Sequence, residues 1–542
     1  MIVKMRHLDL VTLASEKEAT LERLRALGAV HLDLSSAAGA EVTSVKGEFA
    51  DAEKAVRLVR KAREGRDAAE LEIRPRTVAE VLAVDADRDT LKSAAEGLRR
   101  DIRAYEPYGD FDPALAQKVL DAGVDLSGVA ELPEKLPAKR LSWMKEKLAR
   151  VENRIAIDDE KLAGCDDAAI LARYPELADR VAFAAAKELM GTEGALAFVS
   201  GWVPETKVAE FRAQSAKNGW GLLLREPSEG ETPPTLIEPP KLFRPVRALF
   251  EGLGIAPAYE ESDVSIPFFC YFSLFFSMLV GDGAYGAIFL VATLFMRRKL
   301  PKAWFVLLTV FSSATILWGL LSNTWFGAGL PFAENWPTVR WLAGADAEAG
   351  HQYDNMMFFC FTIGVTHLML ARVWNGIAKI NSLSCLAEFG WAGIVLFMYI
   401  LTNSIVGIFG GVPTWAYWVF GASFLTVFVQ AKGMDKGMLF LNTMSVLGDI
   451  ISYVRLFAVG LASVQVAANF NSMALDLGLP IWIKWLPVVL ILAIGHGLNL
   501  AMAGLSVLVH AVRLNTLEFS NHKGVSWAGY AFRPFGRKEF KV

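Results

Sequence analysis

Apolar positions along the chain keep three different rhythms. At the amino end, Ile2 and Val3 lead into Leu8, Leu10 and Val11, and Leu21, Leu24 and Leu27 then share one helical face that Gly28 is placed to end. Val30, Leu32 and Leu34 alternate as strand residues do. This predicts a small strand–helix–strand unit over residues 1–35. Residues 45–107 and 137–163 change to a period of seven. Leu91, Leu98 and Tyr105 recur with Ala94 and Ile102 between them, and Leu141, Leu148, Ile155 and Leu162 recur with Met144 and Val151 interleaved. Heptads with charged flanks predict a coiled coil, and the separation of the two arms in sequence suits an antiparallel stalk; the alternative is a pair of ordinary amphipathic helices. Residues 180–225 return to α/β character. A strand is expected at Leu196–Val199, a turn at Gly201-Trp202-Val203-Pro204, a helix from Val208 to Trp220 and a strand at Leu222–Leu224. Residues 226–264 are rich in proline and acid, which is linker composition.

Beyond Ser265 the rhythm gives way to long apolar runs. Residues 303–333, 355–371 and 389–431 contain no charge. Residues 266–296 hold one charge (Asp282), residues 437–475 two (Asp449 and Arg455) and residues 477–512 one (Lys484). Runs of this kind reach the roughly 20 apolar residues that a bilayer-crossing helix needs. The 389–431 run is too long for one helix and should break at Gly410-Gly411-Val412-Pro413.

Charge divides the 542 residues at the same place. Residues 1–264 hold 38 Lys/Arg and 47 Asp/Glu, whereas residues 265–542 hold 17 and 11. This excludes a wholly soluble protein, a secreted disulfide scaffold and a nucleic-acid binder, and the formal net charge of −3 gives no polyanion-binding signal. The expected fold is mixed: a cytoplasmic part over 1–264, made of α/β lobes and an antiparallel coiled coil, and an all-α transmembrane domain over 265–542. The start Met1-Ile2-Val3-Lys4-Met5-Arg6-His7 lacks the apolar core of a signal peptide, which keeps the front part in the cytoplasm. Cys165, Cys270, Cys360 and Cys385 share no metal or redox spacing, and the front part contains no glycine-rich phosphate loop. No cofactor, metal or ATP site is expected on this chain.

The positive-inside rule sets the topology. If residues 266–296 form a hairpin turning at Gly281-Asp282-Gly283, there are eight spans with both ends cytoplasmic. Inside segments then carry Arg297, Arg298, Lys299, Lys302, Arg372, Lys379, Lys432, Lys436, Lys523, Arg533, Arg537, Lys538 and Lys541, and outside loops carry Arg340 and Lys484. The outside loop at 327–354 is acidic, with Glu334, Asp346, Glu348 and Asp354.

Two basic residues stay outside this accounting, Arg455 and Arg513. An arginine at mid-membrane costs roughly 2.5–3.5 kcal/mol on insertion scales, and it cannot shed its proton. It needs a polar cavity, a carboxylate, or both. Asn442, Ser445, Asp449 and Ser452 precede Arg455, and Gln465 and Asn469 follow it. On a straight helix the first four fall about 60–140° to one side of Arg455, while Gln465 and Asn469 fall about 80° and 40° to the other. His496, Asn499, Ser506 and His510 precede Arg513 in the last span. A permanent cation with laterally displaced polar steps suits two offset half-channels better than one straight pore. His367 and Glu388 are further polar candidates in the fourth and fifth spans.

Here the sequence resembles the membrane subunit of V-type and V/A-type rotary ATPases, called subunit a in eukaryotes and subunit I in prokaryotes. Ser452-Tyr453-Val454-Arg455-Leu456-Phe457-Ala458-Val459-Gly460-Leu461-Ala462 looks like its arginine-bearing helix. Gly495-His496-Gly497-Leu498-Asn499-Leu500-Ala501, Val509-His510-Ala511-Val512-Arg513-Leu514 and Leu517-Glu518-Phe519 resemble its final helix, and Pro534-Phe535 its closing motif. Gly281-Asp282-Gly283-Ala284-Tyr285-Gly286 is similar to its first hairpin turn, and Gly201-Trp202-Val203-Pro204-Glu205 and Pro233-Pro234-Thr235 to motifs of its soluble part.

The resemblance implies that Arg455 is a stator arginine facing a rotor-ring carboxylate and that Arg513 is its second arginine. It implies that Gln465 is a polar partner on the outer side. It places Asp449, Ser445 and Asn442 along a cytoplasmic half-channel and His496 and Asn499 towards the outer half. It also implies proteolipid rotor, peripheral-stalk, central-stalk socket and soluble ATPase partners, a lipid surround in a prokaryotic cell membrane, and ion (expected proton) translocation coupled to ATP synthesis or hydrolysis. Two positions depart from the eukaryotic pattern: Ser463 stands where His is usual and Ala503 where Glu is usual. The competing readings are a stand-alone secondary transporter, which should show paired internal repeats that are not evident here, and a membrane sensor, which would not need Arg455.

Overall fold

A computed structural model describes residues 1–34, 37–64, 66, 73–123, 133, 135–344, 351–477 and 480–536. Asp346, Glu348, Arg537, Lys538 and Lys541 lie outside the described residues. The chain forms two compact units, one of Arg6–Glu226 with the segment from Pro534 on, the other of Met1–Met5 with Pro227–Arg533.

The first unit begins with strand β1 (Met5–Leu13) and helices α1 (Lys17–Leu27), α2 (Ala40–Arg63), α3 (Val78–Tyr105), α4 (Pro113–Asp121), α5 (Leu141–Ala163), α6 (Asp167–Leu171) and α7 (Tyr174–Leu189). It closes with β2 (Gly191–Glu193), β3 (Leu196–Pro204), α8 (Val208–Asn218) and β4 (Gly221–Arg225). The strands make one sheet in the order β2-β3-β1-β4. In it β1 runs antiparallel to β4, with Leu8 opposite Leu224 and Leu10 opposite Leu222. Leu8, Leu10, Leu21, Leu24, Val199 and Phe211 fill the core between sheet and helices. Gly28 ends α1 in the left-handed conformation, as its place in the sequence predicts.

Two local expectations change. Residues 30–34 contribute only the bridge between His31 and Trp202 rather than a strand. Gly201–Pro204 is not a turn but the second half of β3. The glycine there serves close approach: a Cβ on Gly201 would lie 2.6 Å from the His31 carbonyl oxygen.

The helical arm expected over 45–107 is two helices, α2 and α3, and α3 starts at a Thr77–Glu80 capping box. Helices α3 and α5 lie antiparallel. Arg88 meets Asp159 at 3.2 Å, Arg99 meets Glu152 at 2.7 Å and Glu106 meets Lys145 at 2.8 Å. Leu98, Ile102 and Tyr105 pack there on Leu141, Met144 and Leu148. Exposed ion pairs of this kind each contribute under about 1 kcal/mol, so the apolar seam holds the pair and the charges set its register. Ala94 faces solvent, and Ala95 takes the buried place. Cys165 is fully buried, and burial pushes its thiol pKa up, as suits an inert core residue.

The second unit contains α9 (Val246–Leu253), α10 (Ser265–Val280), α11 (Gly283–Phe295), α12 (Lys302–Ser322), α13 (Pro337–Leu342), α14 (Asp354–Ala378), α15 (Ser384–Ile405) and α16 (Thr414–Gln430). It ends with α17 (Met434–Ile451), α18 (Val454–Leu475), α19 (Ile481–Ser506), two π-helical stretches (Val507–Ala511 and Leu514–Phe519) and α20 (Ser520–Lys523). The proline-rich segment packs with this unit: Val246, Leu249 and Phe250 share a core with Phe268, Phe272 and Phe275.

Among the described residues, five stretches are long and apolar enough to cross a membrane: Lys302–Ser322, Asp354–Ala378, Ser384–Ile405, Lys436–Leu475 and Lys484–Lys523. The expected break at 410–413 is present, because α15 ends at Ile405 and Pro413 caps α16. Helices α10 and α11 are bent by 118° at Gly281-Asp282. Their 16 and 13 residues rise about 24 and 20 Å, less than a hydrocarbon core of about 30 Å. On length alone, the eight expected crossings comprise five full-length stretches, this bent pair and the 17-residue α16.

Candidate functional site

The chain turns sharply between α10 and α11 for a local reason. Gly281 adopts φ 71°, and the Asp282 carboxylate accepts hydrogen bonds from the amides of Ala284 at 2.8 Å and Gly327 at 2.9 Å. The one charge of that apolar run is therefore spent on a helix N-cap. Helix α18 crosses α10 closely: a Cβ on Gly460 would lie 2.7 Å from the Met278 carbonyl oxygen. This crossing sets α18 deep in the unit, with Arg455 near its start.

Around Arg455 the backbone is irregular. The chain leaves helix at Ser452-Tyr453 between α17 and α18, and π-helical turns flank Arg513. Such turns redirect side chains and recur at functional positions. Arg455 donates Nε to the Ser452 carbonyl at 2.8 Å and Nη2 to Glu518 Oε1 at 2.6 Å. Ser452 Oγ donates to the same oxygen at 3.2 Å, and Arg513 Nε lies 3.4 Å from it. The Glu518 side chain is 5% exposed, those of Arg455 and Arg513 22% and 53%. Two predicted arginines thus converge on one buried carboxylate. His510 is half-buried on the same helix segment, and its Nδ1 has no partner among the described residues.

A chain of charged groups adjoins this cluster. Asp449 Oδ2 lies 3.1 Å from His522 Nε2, and Arg372 Nε donates to His522 Nδ1 at 3.1 Å. Arg372 Nη1 reaches Glu388 Oε2 at 3.3 Å, and Lys379 Nζ reaches Glu388 Oε1 at 2.6 Å. The structure therefore joins Asp449 to Glu388 through His522 and Arg372. His367 is buried, stacks on Tyr271 and Phe519 at 3.9 and 4.4 Å between ring centres, and meets the Tyr453 hydroxyl at 2.9 Å.

A second cluster, without arginine, lysine or carboxylate, forms farther along α18 and α19. The Tyr285 hydroxyl meets His496 Nδ1 at 2.8 Å and accepts from Asn499 Nδ2 at 3.0 Å. Asn499 also donates to the Ser463 carbonyl at 2.8 Å and accepts from Ser463 Oγ at 3.1 Å. His496 Nε2 lies 3.2 Å from Asn471 Oδ1. Ser463 and Arg455 stand eight residues apart on one helix, so the clusters are offset by about 12 Å along it. Asn442, Ser445, Gln465 and Asn469 join neither cluster and are exposed. Ala503 is buried and apolar.

Sequence reasoning missed Glu518, His522, Arg372, Tyr285 and Asn471 as site residues. Glu518 was the most findable: it lies six residues past the last apolar run, where a carboxylate beside unpaired arginines is the expected counter-charge.

No family model matches the chain. It is similar to the "V-type ATP synthase subunit I 1" of Treponema pallidum, with 29% identity over 99% of this chain and 100% of that protein. It is similar to the "V-type ATP synthase subunit I" of Borreliella burgdorferi, with 33% identity over 62% of this chain and 60% of that protein. It is also similar to the "A-type ATP synthase subunit I" of Methanocaldococcus jannaschii, with 24% identity over 82% of this chain and 68% of that protein.

Proposed function

The chain belongs to the subunit I family of V/A-type ATP synthases, and from that premise we propose that it is the membrane stator of a rotary ATPase, moving protons past a turning rotor ring. It is a multi-pass membrane protein and a subunit of an ion-transporting ATPase. In the proposed arrangement the apolar unit crosses the bilayer eight times, counting α10 and α11 as a hairpin, and both chain ends lie in the cytoplasm of a prokaryotic cell.

The observation that carries the reading is Arg455: a permanent cation in an apolar unit, three-quarters buried and fixed at two of its guanidinium nitrogens. Its role is to face the carboxylate of each passing proteolipid. Attraction favours the ionised carboxylate, which releases its proton there, and the standing positive charge bars a direct leak between the two access paths. Asp449, with Asn442, Ser445 and the His522–Arg372–Glu388 chain beside it, supplies polar steps on the cytoplasmic side. The Tyr285–His496–Asn499–Ser463 cluster, with Gln465 and Asn469 on the exposed face, supplies them on the other. The two clusters lie at different levels of one helix pair, as offset half-channels require.

The first unit is the anchor for peripheral-stalk subunits, its antiparallel α3–α5 pair resisting rotor torque. The soluble ATPase sector and the central-stalk socket complete the assembly. ATP chemistry belongs to those partners.

The test is Arg455→Ala in the assembled complex, reconstituted in vesicles. ATP-driven proton uptake should be lost while assembly and ATP hydrolysis by the soluble sector persist. Preserved uptake would overturn the proposal.

A further inference from the structure

Glu518 is the residue that the arginines answer to. Its Oε1 accepts from Arg455 Nη2 and Ser452 Oγ and faces Arg513 Nε, whereas its buried Oε2 has no partner among the described residues. Both arginines keep their charge at any accessible pH, and Glu518 is ion-paired to Arg455 at 2.6 Å. The cluster therefore holds two positive charges and one negative. Arg455 also uses Nε and Nη2 within the chain, and among the described residues its Nη1 makes no hydrogen bond. More than half of the Arg513 side chain is exposed. One positive charge is left uncompensated, with donors available for one incoming carboxylate.

We propose that Glu518 is the standing counter-charge of the stator arginines, a positioning residue that sets how tightly they hold a rotor carboxylate. It holds Arg455 and Arg513 together against their mutual repulsion and engages Arg455 through Nη2, leaving Nη1 unpaired among the described residues. By neutralising one of the two cations it limits their pull, so that a carboxylate attracted to the site can still be protonated and leave. This rests on the rotary-stator reading given above.

The expected effects have opposite signs. Glu518→Gln leaves two uncompensated cations, which stabilise the ionised rotor carboxylate and lower its pKa. Reprotonation then needs a lower pH, and the alkaline limb of proton pumping should move down by about one pH unit. Arg513→Gln removes one cation and should move that limb up by a similar amount. The double variant Glu518→Gln/Arg513→Gln restores a single net positive charge and should bring the limb back towards wild type.

Asp449 and Tyr453 adjoin the cluster from the α17–α18 segment, the Asp449 carbonyl accepting from Ser452 Oγ. His510 and His522 lie on the final helical segment, with His522 meeting Asp449, and His367 and Arg372 of α14 reach Tyr453 and His522. All of these are unchanged in these variants.

The experiment measures ATP-driven proton uptake against pH in vesicles holding the assembled complex, with Arg455→Ala alongside. Opposite shifts in the singles and a restored limb in the double support the proposal. A wild-type limb in Glu518→Gln, or a double that keeps the shift of Glu518→Gln, overturns it. If Glu518→Gln does not assemble, Arg513→Gln decides: an upward shift supports and an unshifted limb overturns. Failure of the stator reading itself shows separately, as uptake preserved in Arg455→Ala.

Discussion

The two polar clusters of the apolar unit share a helix pair yet are built in opposite ways. Around Tyr285, Ser463, His496 and Asn499 no group carries a permanent charge, and the groups are interlinked by hydrogen bonds at 2.8–3.2 Å and carried on regular α-helix. Around Arg455 the groups are charged, their charges do not balance, and the backbone departs from α-helix on both segments, at Ser452-Tyr453 and in the π turns flanking Arg513. A neutral network buried in apolar surroundings is stable once every donor has an acceptor. A charged one needs its groups aimed at a shared point, and here irregular backbone does the aiming. In the proposed function, the difference would separate a polar path, which a proton crosses by hydrogen-bonded steps, from a charged station, where binding and release of a carboxylate are decided.

The largest expected effect follows from removing the charge at that station. Arg455→Ala should cut ATP-driven proton uptake by at least about a hundredfold, the scale set by loss of one preorganised electrostatic group. Arg455→Lys should rescue little of it, because one ammonium cannot reproduce the planar pair of contacts to the Ser452 carbonyl and Glu518. Full activity in the lysine variant would show that charge alone, without geometry, suffices.

The neutral cluster should break more gently. Tyr285→Phe keeps the ring but removes the hydroxyl that joins His496 to Asn499. A buried amide donor and an imidazole nitrogen then lose a partner, a cost of about 1–3 kcal/mol each. Thermal unfolding of the purified chain in detergent should move down, and uptake should fall roughly tenfold. An unchanged melting temperature with wild-type uptake would remove this cluster from the proton path.

The sequence made the long apolar helices legible because apolar runs are governed by chemistry that needs no tertiary information. Arg455 and Arg513 stood out for the same reason, as charges that topology left over. What stayed hidden was pairing. Glu518 lies 63 residues from Arg455, and His522 lies 150 from Arg372, so nothing local couples them. Tyr285 read as part of a hairpin motif, and the fold alone brings its hydroxyl to Asn499, 214 residues away. In the first unit, the heptads of α3 and α5 marked the right helices but misassigned Ala94 for Ala95. The Gly201–Pro204 motif read as a turn because its glycine serves a backbone approach that only the His31 bridge reveals.

A smaller effect sharpens the contrast from inside the neutral cluster. Ser463→Ala removes one donor to Asn499 Oδ1 while the Ser463 carbonyl still accepts from Asn499 Nδ2. The expected loss is about 1 kcal/mol in unfolding free energy, smaller than that of Tyr285→Phe because the amide keeps its two donor contacts.

The smallest effect belongs to the exposed polar residues that join neither cluster. Asn442, Ser445, Gln465 and Asn469 stand on the open face of α17 and α18, beside exposed Leu441, Met444 and Ile451. Replacing any one of them by alanine in the isolated chain should change unfolding free energy by less than about 0.5 kcal/mol, as for other surface substitutions without partners. The same replacements in the assembled complex should change its stability or its uptake if this face meets a rotor ring, because a polar group is satisfied there by a partner that the isolated chain lacks. Equal insensitivity in both settings would mean that these four residues face lipid or solvent rather than a rotor ring.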